Sequence, residues 1–458
     1  MSKRALLWLI TYLTGVAFTF HEPFWGVATY LVDYYVHPPL QWWGDELPDL
    51  RWSLLPASAL MISYFLHGRT LWDKNILRHP QTTWLLLFLG LAAVLTPFAL
   101  DETRSLHYLS IIGKYTLLYL IFVGSIRTHR HFRYFVALMM LGSIFWGYEA
   151  LDATRSAGRL EGVGGPDADS DNALSAHLLP MLPLLAVAVW KGNRWEKVLA
   201  ILAAPFVLNT IILANSRGAT VGILIGAMAA LVLSQWRMRV RLVPLMMVGA
   251  LLFWALTDTT FLERQSTLLD KDPKGASDRI ELWKGGLALI DDYPLGVGGG
   301  GYDKLSPIYV PKAVKEADGQ ERTVHNTYLW VATDWGIQGL VAMFGLIGAT
   351  IVSLHRIRRR TADQLIMLQS FALEVGFFAF LGAAFFVNRT YSEMLYWIPA
   401  LTAVLANVQS RAWDQEQVPV GATAASGPQS PVMLGGHVGN AAARMREGGS
   451  GFPLAGNM

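Results

Sequence analysis

Two short polar sequences that interrupt apolar runs carry side chains suited to acid–base and phosphate chemistry. They are Ser216-Arg217-Gly218 and His325-Asn326-Thr327-Tyr328. An imidazole with an ordinary pKa of about 6.5 transfers protons at neutral pH, so His325 is a candidate acid–base group. A guanidinium offers paired donors to two phosphate oxygens, so Arg217 is a candidate phosphate ligand, with Asn215 and Ser216 adding neutral donors. The alternatives are a structural interfacial histidine and a snorkelling arginine.

The elements that must position these side chains are apolar helices. Hydrophobic residues make up 53% of the 458-residue chain and charged residues 16%, and the mean hydropathy is +0.35. These values exclude an ordinary water-soluble domain. A bilayer core needs roughly 17 to 25 apolar residues per helix. Eleven runs are long enough or nearly so, near 52–67, 83–100, 108–124, 132–150, 173–190, 198–214, 219–235, 242–257, 327–354, 365–387 and 391–408.

These runs predict an all-α, polytopic integral membrane protein with about twelve transmembrane helices. The twelfth crossing is one broken or partly re-entrant element at 5–37, which stays as an anchor because no cleavage site for a signal peptide follows the first apolar run. The membrane domain is predicted to span 1–410. The composition beyond it, rich in Gly, Ala, Ser and Pro, predicts a disordered cytoplasmic tail over 411–458.

The charge distribution places both polar sequences on the same face of the membrane. Arginines crowd the gap at 237–241 and the segment 356–360, and short basic loops stay cytoplasmic. The 68-residue segment 258–325 between them carries 12 acidic and 9 basic residues, so we predict one large outer loop that ends at His325. The turn at Arg217 is one span further back and is also predicted outside. Lys3 and Arg4, like the C-terminus, are predicted inside.

The outer loop is predicted to contain an amphipathic helix. Ile280, Trp283, Leu287 and Ile290 recur at helical spacing, and Asp278 with Glu281 resembles a capping box. The helix over 278–290 is expected on the membrane surface or against the spans, and it ends at Tyr293-Pro294. Glycines follow at 296 and 298–301, and they form either a flexible turn or a backbone that an anion can approach closely.

Other charged residues are accessory candidates. Arg279 lies at the start of the predicted outer helix, and Arg389 lies in the short outer turn Asn388-Arg389-Thr390. Lys114 lies midway along the run 108–124, where a lysine is costly unless it is functional or paired. Asn326 and Tyr328, beside His325, complete this set.

A metal site is the weaker hypothesis for the aspartates of another outer loop. Asp167, Asp169 and Asp171 alternate, which permits oxygen ligation, but the glutamate of a calcium-binding EF-hand loop is missing. Asp171 or Asn172 is instead predicted to be the N-cap of the span that begins at Ala173. The chain has no Cys, which removes disulfides and thiolate metal sites. We therefore expect neither a metal nor a cofactor.

The order of these pieces resembles the O-antigen ligase and O-antigen polymerase superfamily of bacterial envelope glycosyltransferases. Ser216-Arg217-Gly218 opens a span, and a large loop with Arg279 and Trp283 follows. Tyr293-Pro294-Leu295-Gly296 and His325-Asn326-Thr327-Tyr328 then precede a glycine-bearing helix. The resemblance covers roughly 200–350. More loosely, two segments resemble glycosylation ligases associated with exosortase systems, namely Glu22-Pro23-Phe24-Trp25-Gly26-Val27 and Asp171-Asn172-Ala173-Leu174.

The resemblance implies a metal-independent enzyme of the bacterial inner membrane whose active site faces the periplasm. Its donor would be a glycan on undecaprenyl diphosphate, and its acceptor a hydroxyl of lipid A-core, of another glycan or of a protein. By the same resemblance Arg217 and Arg279 would hold the diphosphate, and His325 would deprotonate or orient the acceptor hydroxyl. Nucleic acid is not an expected partner.

Two alternatives remain open at this point. A polysaccharide polymerase would use the same donor and differ only in its acceptor. A transporter or lipid flippase would also be polytopic with buried cations, but the chain shows no inverted repeat and has a single large outer loop.

Overall fold

The computed structural model describes residues 1–67, 76–156, 158–266 and 274–416, which are mostly helical. The helices up to the long loop are α1 Lys3–Phe18, α2 Phe24–Val36, α3 Leu54–Leu66, α4 Pro80–Leu95, α5 Glu102–Ser125, α6 His129–Asp152, α7 Asp171–Leu178, α8 Met181–Lys191, α9 Arg194–Ala214, α10 Arg217–Leu233 and α11 Trp236–Leu256. The later helices are α12 Thr259–Ser266, α13 Lys274–Asp292, α14 Gly301–Tyr309, α15 Pro311–Glu316, α16 Thr327–Arg360, α17 Gln364–Ala384 and α18 Glu393–Glu416. Short 3₁₀ turns lie at Pro38–Leu40, Gly44–Glu46, Ile76–Arg78 and Thr96–Phe98, and β1 Arg155–Ser156 pairs antiparallel with β2 Arg159–Leu160.

Within the described part of the chain, eight helical segments are long and apolar enough to cross a membrane. They are α4, α5, α6, α7 with α8, α9, α11, α16 and α17. Helices α3 and α10 are shorter but apolar. The predicted fold class, an all-α polytopic membrane protein, is therefore confirmed. Of the predicted tail, residues 411–416 continue α18, and 417–458 lie outside the described residues.

Small residues bring α10 against α17. A Cβ on Gly222 would lie 2.6 Å from the carbonyl oxygen of Ala379, and one on Gly226 would lie 2.9 Å from the Ala379 Cβ. Close approach of this kind is how helices pack where lipid gives no hydrophobic driving force. The contact fixes the first residue of α10, Arg217, beside the chain that leaves the end of α17.

The long loop 258–326 lies at one end of the bundle, called here the loop end. The basic residues predicted to be cytoplasmic gather at the other end. There, Arg133 makes two hydrogen bonds of 2.6 Å to the Glu196 carboxylate, and Arg358 donates to the carbonyl of Leu233 at 2.9 Å. These contacts link the helix ends at four short inter-helix connections, in two pairs. The basic residues of the sequence are therefore concentrated at one end of the bundle.

The prediction of one crossing element at 5–37 is wrong, and so is the position predicted for Lys3 and Arg4. Helices α1 and α2 are separate and pack against each other, because the chain turns through His21 and Glu22 between them. The Met1 amine lies 3.8 Å from Glu46, and the Arg4 guanidinium lies over the Trp42 ring. Both partners follow α2, whose last turns contact the segment 164–169, which was predicted to lie on the same side as the long loop. The N-terminus therefore lies at the loop end.

The predicted amphipathic helix is present as α13, with different details. It begins at Lys274, so Asp278 lies inside the helix and does not cap it. Leu282 and Leu289 are buried, whereas Ile280 and Leu287 are exposed. The face of α13 that packs against the rest of the protein therefore coincides only partly with the predicted apolar face. The helix ends at Asp292, directly before Tyr293-Pro294 as predicted.

Helix α16 is broken at Gly336, where φ is 72° and ψ is −177°. The segment 294–298 fills the break. Val297 N–H donates to the Thr333 carbonyl at 3.0 Å, and Ile337 N–H donates to the Pro294 carbonyl at 3.0 Å. A Cβ on Gly336 would lie 2.4 Å from the Leu295 carbonyl carbon, so no other residue fits there. The loop thereby satisfies backbone groups that the break frees.

The span predicted at 173–190 begins earlier than expected. Its N-cap is Ser170, whose Oγ accepts from Ala173 N–H at 3.3 Å, so the prediction of Asp171 or Asn172 as the cap is wrong. Ser170 is favoured because its extended backbone lets the hydroxyl reach the free N–H of the first turn. Pro180 then divides the span into α7 and α8.

Candidate active site

Phe385 and Phe386, which directly follow α17, lie where three distant parts of the chain meet. The Arg279 guanidinium lies 6.0 Å from the centroid of the Phe386 ring. A Cβ on Gly218 would lie 3.0 Å from the Phe386 Cβ. Trp283 packs edge-to-face on Phe385, with 5.1 Å between ring centroids. The start of α10 and the middle of α13 therefore share this aromatic surface.

The segment that carries His325 is fixed to the turn after Phe386. Asn326 N–H donates to Asn388 Oδ1 at 3.0 Å, and Thr327 Oγ1 donates to the Val387 carbonyl at 2.6 Å. In return, the Arg389 N–H donates to Thr327 Oγ1 at 2.8 Å. Asn326 also caps α16 through the N–H groups of its first turn. These bonds hold His325 close to the turn that follows the phenylalanines, and Arg279 lies near enough to affect the pKa of His325.

His325 itself has a left-handed backbone, with φ of 51°, a conformation uncommon outside glycine and asparagine. Burial, followed by the charges of Arg279 and Arg322, lowers the pKa of His325 to about 4. The imidazole is therefore uncharged at neutral pH and retains a nitrogen lone pair that can accept a proton.

Arg217 occupies the first helical position of α10 and is half-buried. The two residues before it are held within the protein. Ser216 Oγ donates to Asn172 Oδ1 at 2.7 Å and caps α10. Asn215, left-handed with φ of 49°, donates to the carbonyls of Gly158 and Thr260 at 3.3 and 3.4 Å. These contacts give Ser216 and Asn215 a role in positioning Arg217.

Two further arginines near these residues were missed by sequence reasoning. Arg322 acts on the pKa of His325, and its buried Nε has no hydrogen bond. Arg159 forms an ion pair of 2.9 Å with Asp171, next to the Asn172 that Ser216 contacts. The proximity of Arg322 in sequence, three residues before His325, was an available signal. Nothing in the sequence pairs Arg159 with this region, because the contact depends on the hairpin of β1 and β2.

The accessory candidates have other positions. Arg389 is 3% exposed, and its guanidinium donates to the Asp167 carbonyl at 2.6 Å and lies 3.4 Å from the Asp167 carboxylate. The Tyr328 hydroxyl donates to the Leu381 carbonyl at 2.8 Å. Lys114 is exposed. It lies about 18 Å along α5 from Glu102, the first residue of that helix at the loop end, at the usual rise per residue. The contacts of Arg389 and Tyr328 stabilise the turn and helices that hold His325.

The aspartates of the outer segment 164–171 also have protein partners. Asp167 accepts hydrogen bonds from the Tyr34 hydroxyl and from the Glu393 N–H, the latter at 2.6 Å, in addition to its contacts with Arg389. Asp171 pairs with Arg159. Across the described ranges, no three His, Asp or Glu side chains are grouped as metal ligands.

The glycines after α13 use their N–H groups within the protein. Gly298 donates to the Asp334 carbonyl at 2.9 Å, Gly299 to Ser105 Oγ at 3.2 Å and Gly300 to the Asp334 carboxylate at 2.8 Å. These donors are engaged, so neither a flexible turn nor an anion cradle describes the segment. Its glycines are needed because it packs closely against α16 and α5.

These features together define a class: a polytopic membrane protein with arginines around an uncharged histidine at one end of its bundle. Residues 198–344 match the family described as O-antigen ligase, and the chain therefore carries a domain of the O-antigen ligase superfamily. The matched range contains Arg217, Arg279, Arg322 and His325. This confirms the resemblance seen over roughly 200–350. No protein of curated function matches the chain.

The family and the apolar helices indicate a multi-pass membrane enzyme of the glycosyltransferase type, with a function in polysaccharide biosynthesis. Its substrates are, in general terms, glycans and lipid-linked glycans. The segments at 22–27 and 171–174 lie outside the matched range, and the resemblance to exosortase-associated ligases stays a prediction.

Proposed function

We propose that the protein transfers a glycan from undecaprenyl diphosphate to a hydroxyl acceptor, such as lipid A-core, at the periplasmic face of the bacterial inner membrane. The observation that carries the proposal is an uncharged, half-buried His325 beside Arg279 and Arg322, at the end of the bundle where α10 begins with Arg217. A base and a set of cations are the two groups that this reaction needs.

In the proposed reaction the acceptor oxygen attacks the anomeric carbon of the first sugar. A new carbon–oxygen bond forms as the bond from that carbon to the diphosphate breaks, and the diphosphate leaves with the bonding electrons. The acceptor proton passes to His325. A positioned base contributes typically 10² to 10⁴ in rate to a step of this kind.

Arg217 and Arg279 are the proposed ligands of the leaving diphosphate. Negative charge grows on the diphosphate as the bond breaks, and fixed guanidinium groups stabilise it more strongly in a partly buried site than in water. Cationic side chains can supply the charge neutralisation that a divalent metal supplies elsewhere, and we propose that transfer here is metal-independent.

The test is reconstitution of the full-length protein in lipid vesicles with an undecaprenyl-diphosphate glycan and candidate acceptors. The product is identified by mass. A glycan joined to lipid A-core or another acceptor supports the ligase, and two glycans joined on one lipid carrier identify a polymerase. The absence of any product with the glycans and acceptors of the native cells would refute the proposed function.

Two variants separate the two roles. His325→Ala is expected to lower single-turnover transfer by about 10² to 10⁴ with donor binding nearly intact. Arg217→Ala is expected to weaken donor binding, transfer or both, and Arg217→Lys to recover only part, because lysine lacks the planar fork. His21→Ala and Arg237→Ala, exposed residues away from the site, are matched controls. Near wild-type transfer by folded His325→Ala protein would remove the base from the mechanism.

A further inference from the structure

A cavity of about 640 Å³ lies at the loop end, between the start of α5 and the long loop. This volume falls within the range of small-molecule sites, about 300 to 1,000 Å³. The cavity is lined mainly by Asp101, Arg104, His107, Tyr108, Asp303 and Glu321. None of these residues belongs to the site around His325.

The charged groups of this cavity are largely paired with one another. Arg104 lies 2.9 Å from Glu321, and Lys304 lies 2.7 Å from Asp101. Among the described residues no cation lies as close to Asp303, and burial raises its pKa to about 7. One of its carboxylate oxygens is buried without a hydrogen bond. The cavity therefore lacks the excess of positive charge that a diphosphate requires, and a ligand that donates could reach this buried oxygen only after the Asp303 side chain turns towards the cavity.

Its side chains suit a ligand rich in hydroxyl groups. Carboxylates accept from hydroxyls, and the Arg104 guanidinium donates to hydroxyl and ring oxygens. His107 is exposed beside the Tyr108 ring, with 5.5 Å between centroids, and its face can cover the C–H face of a sugar ring. Tyr108 packs against Tyr391, with 4.4 Å between centroids, and supports His107. We propose that this cavity binds sugar residues of an uncharged glycan.

The cavity is linked to His325 by one short chain segment. Asp303 hydrogen-bonds to Thr323, and Thr323 accepts from Asn388, which also holds Asn326. Glu321 precedes His325 by four residues, so their Cα atoms are at most about 14 Å apart. A glycan whose reacting end lies at His325 can therefore place its later sugars in the cavity. This second step rests on the proposed function, whereas glycan binding itself does not.

Binding is tested with the full-length protein in lipid nanodiscs. The probe is the free glycan released by mild acid from the lipid-linked glycans of the native cells. Wild-type protein is expected to bind it, and His107→Ala and Asp303→Asn are expected to weaken binding about tenfold or more, since each removes a contact that water must replace. Lys312→Ala, an exposed change in the same loop, is the control. No binding by wild type, or equal binding by all four proteins, overturns the proposal.

Transfer assays then identify which substrate supplies the sugars. If the donor glycan occupies the cavity, the variants raise KM for a donor with several sugars and leave KM for a one-sugar donor unchanged. If the acceptor glycan occupies it, the same contrast appears on lengthening the acceptor. A protein that binds the glycan but catalyses no transfer refutes the proposed function and leaves the binding site standing. A KM that is unchanged for long donors and long acceptors alike refutes the link to His325.

Discussion

The pH dependence of transfer should differ between the empty and the loaded enzyme. Burial and two nearby arginines hold the pKa of His325 at about 4, against an ordinary 6.5. This difference disfavours the charged imidazolium by about 3 kcal/mol. A bound diphosphate would offset the charge of Arg279 and Arg322. It should therefore raise the pKa of His325 and make the imidazole a stronger base only when the donor is present.

The assay measures how kcat/KM and kcat fall on the acidic side of their pH profiles. The profile of kcat/KM reports the free enzyme, and that of kcat reports the loaded enzyme. His325 acts when unprotonated, so each rate falls as the pH drops through the relevant pKa. At pH 5.5 a base with a pKa of 4 is about 97% active, and one with a pKa of 6.5 only about 9% active. We expect kcat/KM to hold near its plateau at pH 5.5 and kcat to fall at higher pH than kcat/KM.

Arg322→Gln is the matched variant, because Arg322 is not assigned to the diphosphate. Removing its charge should move the midpoint of kcat/KM upward, towards 6.5. Stability must be followed in parallel. A histidine whose pKa is lowered on folding destabilises the protein as the pH falls from 6.5 to 4, by up to about 3 kcal/mol. Coincident midpoints for the two profiles would refute binding of the diphosphate beside His325, and a kcat/KM midpoint near 6.5 would refute the suppressed basicity of the free enzyme.

Three further predictions follow from the same geometry. Transfer should survive EDTA, and a loss restored by Mg²⁺ or Mn²⁺ would shift the weight to the aspartates at 167–171. Because the chain lacks Cys, a single introduced cysteine reports which side of the membrane its residue faces. Lys3→Cys and Lys312→Cys should be labelled from outside intact cells, and Arg237→Cys only after permeabilisation. If Lys3→Cys were also labelled only after permeabilisation, the N-terminus would not lie at the loop end. Gly336→Ala should lower the free energy of unfolding by about 1 to 3 kcal/mol or more. The control is Gly348→Ala, where an added Cβ meets nothing within 4 Å. Equal stability of the two variants would contradict the requirement for glycine at the break in α16.

Hydropathy and charge were sufficient to predict which segments form helices, but not which helices contact one another. The apolar runs predicted α3 to α11 and α16 to α18 with ends that differ from the structure by up to eight residues, because length and apolarity are set by the bilayer. The N-terminal hairpin was missed, since α1 and α2 are short and their turn resembles an interruption of one helix. The charge count assigned Lys3 and Arg4 to a side of the membrane from the number of crossings that follow them. Because one crossing was missed, it assigned them to the opposite side.

The sequence allowed the residues of the candidate site to be selected, but it did not predict how they are held in place. Arg217, Arg279 and His325 could be selected because each residue type suits the chemistry. Their supports could not be, because Asn388 and Val387 lie about sixty residues from the segment they hold. Arg389 illustrates the difference, since an arginine in an outer turn suggests a ligand until its ion pair with Asp167, 222 positions away, is seen.

The break in α16 has a consequence for how the protein is made. Residues 294–298 leave the ribosome before α16, so the segment that satisfies the broken helix is made before its partner. If the loop lies outside as predicted, this segment has to cross the membrane before α16 enters it. If α16 inserted early as an unbroken rod of 34 residues, it would measure about 50 Å. That is longer than the hydrocarbon core, and the backbone groups of 294–298 would be left without partners. With the loop outside as predicted, we expect α16 to fold only after the loop has crossed the membrane, and a chain whose loop crosses late is expected to be inserted at full length but inactive.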